Sequence, residues 1–175
     1  GAMRILAFMF APAMVTKPQL LPTIVFTLMD QCSAKGNSSY AAFGYALYGM
    51  YLCENPDSID RGARFGALAL EVLECLGRNR LEHRVRELVH VFIASWGGKH
   101  LRDVTVEMHR IAKSAMEAGE VEIACNQFMS LCILLPCIGE PLDIVIETCS
   151  KHVSSLREMK QGFQLKMAQI WAQLQ

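Results

Sequence analysis

In LRDVTVEMHRIAKSAMEAG, residues 101–119, the apolar positions Leu101, Val104, Met108, Ile111, Ala112, Ala115 and Met116 follow steps of three and four. On a helix of 3.6 residues per turn such positions share one face, so the stretch is amphipathic helix. Its pattern returns on both sides. Ile59, Leu101 and Leu142 stand 42 and 41 residues apart, and Leu73, Ala115 and Leu156 repeat those steps. Leu70, Ala112 and Val153 do so as well, and Gly77 and Gly119 are again 42 apart. A period of about 40 residues is the signature of stacked helix pairs. The expected fold is all-α: stacked antiparallel helix pairs forming a TPR-like α-α superhelix of about eight helices, with units centred near Gly66, Met108 and Cys149.

Punctuation along the rest of the chain agrees. Pro22 opens a helix through TIVFTLMDQCSAK that Gly36 closes, since proline suits a first turn and glycine the position past the last. Asn37 or Ser38 caps the next helix, SYAAFGYALYGMYLC, and Asn55 with Pro56 starts another that runs to Gly77. The remaining helices are expected at 80–96, 101–118, 120–135, 141–159 and from 161 onward. Strand signals are scarce, with no long alternating Val/Ile/Thr run and no Asn-Gly turn. Small residues on two successive helices, among them Gly44, Gly49, Gly62 and Gly66, predict close backbone approach there, because glycine inside a helix costs up to about 1 kcal/mol unless packing compensates.

The chain has 175 residues, enough for one helical-repeat domain spanning residues 4–175; Gly1 and Ala2 ahead of Met3 read as a scar of tag removal. Lys plus Arg and Asp plus Glu each number 17, so no broad basic face for nucleic acid is implied. Seven cysteines form an odd set without a C-x-x-C pair, which predicts buried thiols in a cytoplasmic, reducing setting. MRILAFMFAPAMV, residues 3–15, has the short apolar run and Ala-Pro-Ala of a secretory signal, but is expected to be an ordered, packed segment. No uninterrupted apolar run reaches the roughly 18 residues of a membrane-spanning helix, so no membrane partner is expected.

Chemistry is searched for and mostly not found. SWGGKHLRD, residues 95–103, has a Gly-Gly-Lys, but a phosphate loop needs an earlier glycine, a Ser or Thr after the lysine and a strand in front, and none is present. Gly97 and Gly98 are expected to turn the backbone between helices, with Lys99 and His100 placed for the last carbonyls of the preceding helix. His83, Glu87 and His90 share a helix face but offer only three ligands, and a solvated face explains them more simply than a metal. The cysteines lie on apolar faces without a base, and no G-x-S-x-G elbow is present, so no catalytic residue, cofactor or metal is expected. Tyr40, Phe43, Tyr45, Tyr48 and Tyr51 form an aromatic stripe, part core and part surface, with Tyr45 turned toward a groove.

KPQLLPTIVFTLMDQCSAKGNSSYAAFGYALYGMYLC (17–53), IDRGARFGALALEVLE (59–74) and the Trp96 and His100 pair leading into HLRD resemble the helical-repeat region of very large multi-domain signalling proteins. In that family the region lies between an AAA-type ATPase module and downstream GAF and sensor histidine kinase domains, often behind an N-terminal serine/threonine kinase. The resemblance implies a segment cut from a longer chain, non-catalytic itself, that mediates contacts with other domains or with a signalling protein. No catalytic residue carries over, because the kinase motifs are absent from this stretch.

The expected function is therefore a protein-protein or interdomain interaction segment. Its candidate groove residues are Tyr45, Arg84, Glu87, His90, Asn126 and Gln127, chosen because they fall off the apolar stripes of the first helix of each pair. The alternative is a helical bundle that binds a small hydrophobic ligand in a Met- and Cys-rich interior; a small secreted helical protein is a third class. Phe163, Met167, Ile170 and Leu174 on one side of the last helix suggest homodimerisation through that end.

Overall fold

The computed structural model describes residues 2–36, 38–77 and 79–173, and all regular structure among them is helical. The helices are α1 (Ala2–Thr16), α2 (Leu21–Lys35), α3 (Ser39–Cys53), α4 (Ile59–Leu76), α5 (Glu82–Glu87), α6 (Leu101–Glu117), α7 (Val121–Leu134), α8 (Leu142–Glu158) and α9 (Gly162–Ala172). Alpha helix α5 continues as a π-helical segment over Leu88–Ala94, and short 3-10 turns precede α2 and α4 and follow α7. The sequence reading expected about eight helices; the additional one is α1, formed by the apolar N-terminal run.

Capping fixes the boundaries. The Ser38 hydroxyl accepts from the Ala41 N–H at 3.2 Å and so takes the cap of α3, whereas Asn37, the other residue expected there, lies outside the described residues. Asn55 Oδ1 accepts from Asp57 N–H at 3.0 Å, and Pro56 opens the turn that leads into α4. Gly98, at φ +81°, makes the expected reversal after Trp96. His100 does not serve the carbonyl end behind it; its Nδ1 accepts from the Arg102 N–H at 3.2 Å and caps α6. A ring nitrogen two residues before a free N–H is the better partner, because the first donors of a helix have none within the helix.

The chain divides into two compact units, residues 1–98 and 99–175. In the first, α3 is central. It is apolar on every side, burying Ala41, Ala42, Phe43, Ala46, Leu47 and Leu52, and it packs against α1, α2, α4 and α5. Alpha helix α1 buries Met3, Ala7, Phe10 and Ala13 and leaves Ile5, Phe8 and Val15 exposed. Alpha helices α3 and α4 cross at Gly49 and Gly62, where a Cβ on Gly62 would lie 2.7 Å from the Gly49 carbonyl oxygen.

In the second unit α7 is central, packed by α6, α8 and α9 and burying Ile123, Ala124, Cys125, Leu131 and Cys132. Residues 121–138 are long and apolar enough by composition to cross a membrane, but here they are the interior helix of this unit and its extension.

The period is visible in burial. Gly62, Val104 and Val145 are buried, as are Gly66, Met108 and Cys149, and Leu73, Ala115 and Leu156. Gly77 directly follows α4, whereas Gly119 and Lys160 stand two residues past α6 and α8; their φ are +67°, +78° and +56°. Three helices thus share buried positions at the spacing of 42 and 41 found in the sequence, and α6 and α8 also share the form of their ends.

Candidate interaction surface

The aromatic stripe gains two members from neighbouring helices. Tyr48 meets Phe65 of α4 edge to face, with centroids 4.7 Å apart, and Tyr45 lies 6.3 Å from the same ring. Phe26 of α2 stands edge-on to Tyr51 at 5.4 Å and to Tyr48 at 6.1 Å. Five rings from three helices therefore adjoin one another. Phe26 is exposed and the other four are half-buried, so the cluster belongs to the surface of the first unit as well as to its packing. Phe43, by contrast, is core and meets Phe10 at 6.1 Å. Sequence reasoning found the tyrosines by their spacing on one helix but missed Phe26 and Phe65, which join them only through the packing of α2 and α4 on α3.

The six candidate groove residues fare unequally. Tyr45, Arg84, Glu87 and His90 lie in the first unit and Asn126 and Gln127 in the second, so they are described as two separate sets. Tyr45, Arg84 and Glu87 are half-buried and remain accessible. His90 is a correction: it is 6% exposed, because the π-helical segment turns it inward with Val89 and Ile93. Gln127 is a second correction, at 0% exposed. Its counterparts one period away, Val85 and Ala168, and two periods away, Phe43, are core residues at 2% or less, so a polar side chain occupies a core position. Asn126 is half-buried, and its Oδ1 accepts from Gln164 Nε2 of α9 at 2.9 Å.

Titratable groups shifted by burial occur in both units. The His152 ring stacks on Phe128 at 4.8 Å and stands 6.0 Å from His109. Burial first, and the neighbouring His109 charge second, lower its pKa to about 4. Cys132 of α7 and Cys149 of α8 are both buried, and burial first, then the neighbouring Cys149, pushes the Cys132 thiol up. The Cys125 thiol lies 3.3 Å from the Met159 sulfur. Cys32 is buried too, and desolvation lifts its pKa to about 11; most of the cysteines are thus interior, as expected, and Cys75 and Cys137 are the exposed exceptions. Among the described residues no three His, Cys, Asp or Glu side chains are placed to hold a metal, and His83, Glu87 and His90 do not form such a group.

Comparison of the chain with family models, with curated proteins and with solved structures gives no match.

Proposed function

We propose that the chain is a non-catalytic, TPR-like helical-repeat module of a multi-domain signalling protein, and that it docks a protein partner through the aromatic face of its first unit. The observation that carries this reading is the cluster of Phe26, Tyr45, Tyr48, Tyr51 and Phe65, joined ring to ring across three helices and left accessible. Tyrosine supplies large contact area at low entropic cost and a polar tip, which is why aromatic residues dominate binding energy at protein interfaces. The repeat of burial along α4, α6 and α8, and of exit geometry in α6 and α8, supports the helical-pair architecture. Partners follow from the resemblance: the kinase and ATPase modules of the same protein, in a cytoplasmic setting. Self-association through α9 is a second contact to test, since Phe163 and Ile170 are more than half exposed while Gln164 and Ala168 turn inward; Leu174 lies outside the described residues.

The test is calorimetric titration of this chain against each of those modules. Replacing Tyr48 and Phe65 together by alanine is expected to weaken binding by roughly 30-fold or more, the scale of an interface hot spot. Binding that is unchanged in a variant whose thermal melt shows it folded would remove the aromatic face from the reading. Absence of binding to every module would remove the function.

A further inference from the structure

Exposed apolar side chains gather at the start of the chain. Alpha helix α1 has no polar side chain between Arg4 and Thr16. Met3, Ala7, Phe10 and Ala13 face the interior, whereas Ile5, Phe8, Met9 and Val15 on the other side are 61%, 57%, 44% and 63% exposed. Soluble proteins scatter such side chains singly, and a contiguous group of them marks a surface that something covers.

Charge sets this face apart from others of its kind. Arg4 and Lys17, both exposed, stand at the two ends of the stripe, and through residues 1–53, which hold the first three helices, Asp30 is the only acidic residue in the sequence. On α8 the exposed Leu142, Ile144 and Ile146 are instead interleaved with Asp143 and Glu147. The α1 face also lacks a hydrogen-bonding tip, because the Thr16 hydroxyl donates to the Pro12 carbonyl of its own helix at 2.8 Å. Protein interfaces carry about one hydrogen bond per 100–200 Å² and favour tyrosine and tryptophan. Hydrocarbon between two cations suits the boundary of an anionic bilayer better, where the cations reach the headgroups and the apolar side chains reach the acyl region.

We infer that α1 is a membrane-surface anchor: it lies flat on a bilayer rich in anionic lipid, with Ile5, Phe8, Met9 and Val15 at the acyl boundary and Arg4 and Lys17 among the headgroup phosphates. The helix does not cross. At 15 residues it falls short of the roughly 20 needed, and its Met3, Ala7, Phe10 and Ala13 side stays in the core. Spanning length, the ground on which no membrane partner is expected, does not bear on a helix that lies flat. Burial of the four side chains supplies a part of the attraction that salt leaves intact, and the two cations supply a part that salt screens. The consequence is recruitment to the membrane surface, reversible because one short stripe and two cations bind weakly. None of the five clustered rings of the aromatic face is on α1, so failure of either reading leaves the other standing.

The experiment mixes the full chain with vesicles of phosphatidylcholine alone, or of phosphatidylcholine and phosphatidylglycerol in equal parts, and reads the bound fraction by flotation. Binding is expected on the mixed vesicles, falling as salt is raised, and roughly tenfold or more weaker on phosphatidylcholine alone. Arg4→Gln with Lys17→Gln is expected to weaken it by roughly 30-fold, at about a factor of five for each cation near an anionic surface. Ile5→Glu with Phe8→Glu puts two acids in the stripe and is expected to abolish flotation, whereas Ile144→Glu on α8 leaves it unchanged. Ile5 and Phe8 are more than half exposed, so the fold is expected to survive; should a thermal melt show otherwise, the Arg4 and Lys17 variant, which alters no apolar contact, decides. No flotation with anionic vesicles, equal flotation on both vesicle types, or flotation that persists with acids in the stripe would overturn the proposal. So would a chain that is dimeric in solution and becomes monomeric in Phe8→Glu, since a second copy then covers the face.

Discussion

Gln127 is at odds with its surroundings. It is fully buried, and neither its Oε1 nor its Nε2 has a hydrogen-bond partner in the structure. An amide left in that state costs about 1–3 kcal/mol relative to an apolar group of similar shape. Gln127→Met keeps the length and removes the penalty, so it is expected to raise the urea midpoint of the second unit by the equivalent of about 1–2 kcal/mol. A lower midpoint would show that the amide is satisfied in solution. The position could have been placed from sequence alone, because counting back one period reaches Val85 and two reaches Phe43. Polarity alone points Gln127 and His90 to the surface, whereas the packing register places both inside. His152 gives a pH dependence at this scale. Its folded pKa is lowered to about 4 from an ordinary 6.5, so between those values the unfolded chain binds more protons. Its contribution to stability is complete above about pH 6.5 and falls as the pH drops toward 4. The side chain is half-buried, so solvent screening reduces the loss to on the order of 1–2 kcal/mol. Urea midpoints at pH 7.5 and pH 5 are expected to differ less in His152→Leu than in the parent; an unchanged difference would assign the effect to other groups.

Between elements, the contact most sensitive to volume is the crossing of α3 and α4. A Cβ on Gly62 would lie 2.5 Å from the Cys53 sulfur and 2.7 Å from the Gly49 oxygen, and one on Gly49 would lie 2.9 Å from the Gly62 oxygen. Backbone on the other side cannot rotate away, so Gly62→Ala is expected to cost about 2–3 kcal/mol by overpacking, read as a lower melting temperature. Gly162→Ala, with nothing within 4 Å of the added carbon, is the control and is expected to be neutral or slightly stabilising. The sequence pointed to Gly44, Gly49, Gly62 and Gly66 together, without ranking Gly49 and Gly62 first. A Cβ on Gly44 would meet a sulfur at 3.0 Å and one on Gly66 an Ile93 methyl at 3.2 Å, side-chain contacts that give more readily than backbone. Small residues on facing helices were legible, but not the rotation of each helix that decides which pair touches. The π-helical turn after α5 was illegible for a related reason: its apolar run, Leu88 to Ala94, fits a continued α-helix equally well. Lys160 closes α8 at φ +56°, where the period puts Gly77 and Gly119 in α4 and α6. Lys160→Gly removes a Cβ from the left-handed region and is expected to stabilise the second unit by about 1 kcal/mol, measured by chemical unfolding.

Across the whole molecule, two compact units carry separate cores. Residues 1–98 bury Phe43, Leu28, Leu47 and Val85 around α3, whereas residues 99–175 bury Met108, Ile123, Leu131 and Leu156 around α7. The sequence reading expects one repeat array over residues 4–175, whereas the structure divides the chain into two compact units. Physical differences between the units predict unequal stability. The second is the shorter, and small domains bury a smaller fraction of their surface. Its interior also includes Thr105, Gln127, Ser130 and Gln164, whereas among the described residues of the first unit His90 is the buried polar side chain. Gly97 and Gly98 close the first unit, and His100 supplies its own cap to α6, so a cut after Gly98 removes no capping hydrogen bond from either side. Fragments 1–98 and 99–175 are each expected to show helical circular dichroism, with the first melting cooperatively and at the higher temperature. Introducing Gln127→Met and Lys160→Gly into the second fragment should narrow that gap, because both act on costs internal to it. If the second fragment alone is unfolded and the two substitutions do not recover a cooperative melt, its core depends on the rest of the chain.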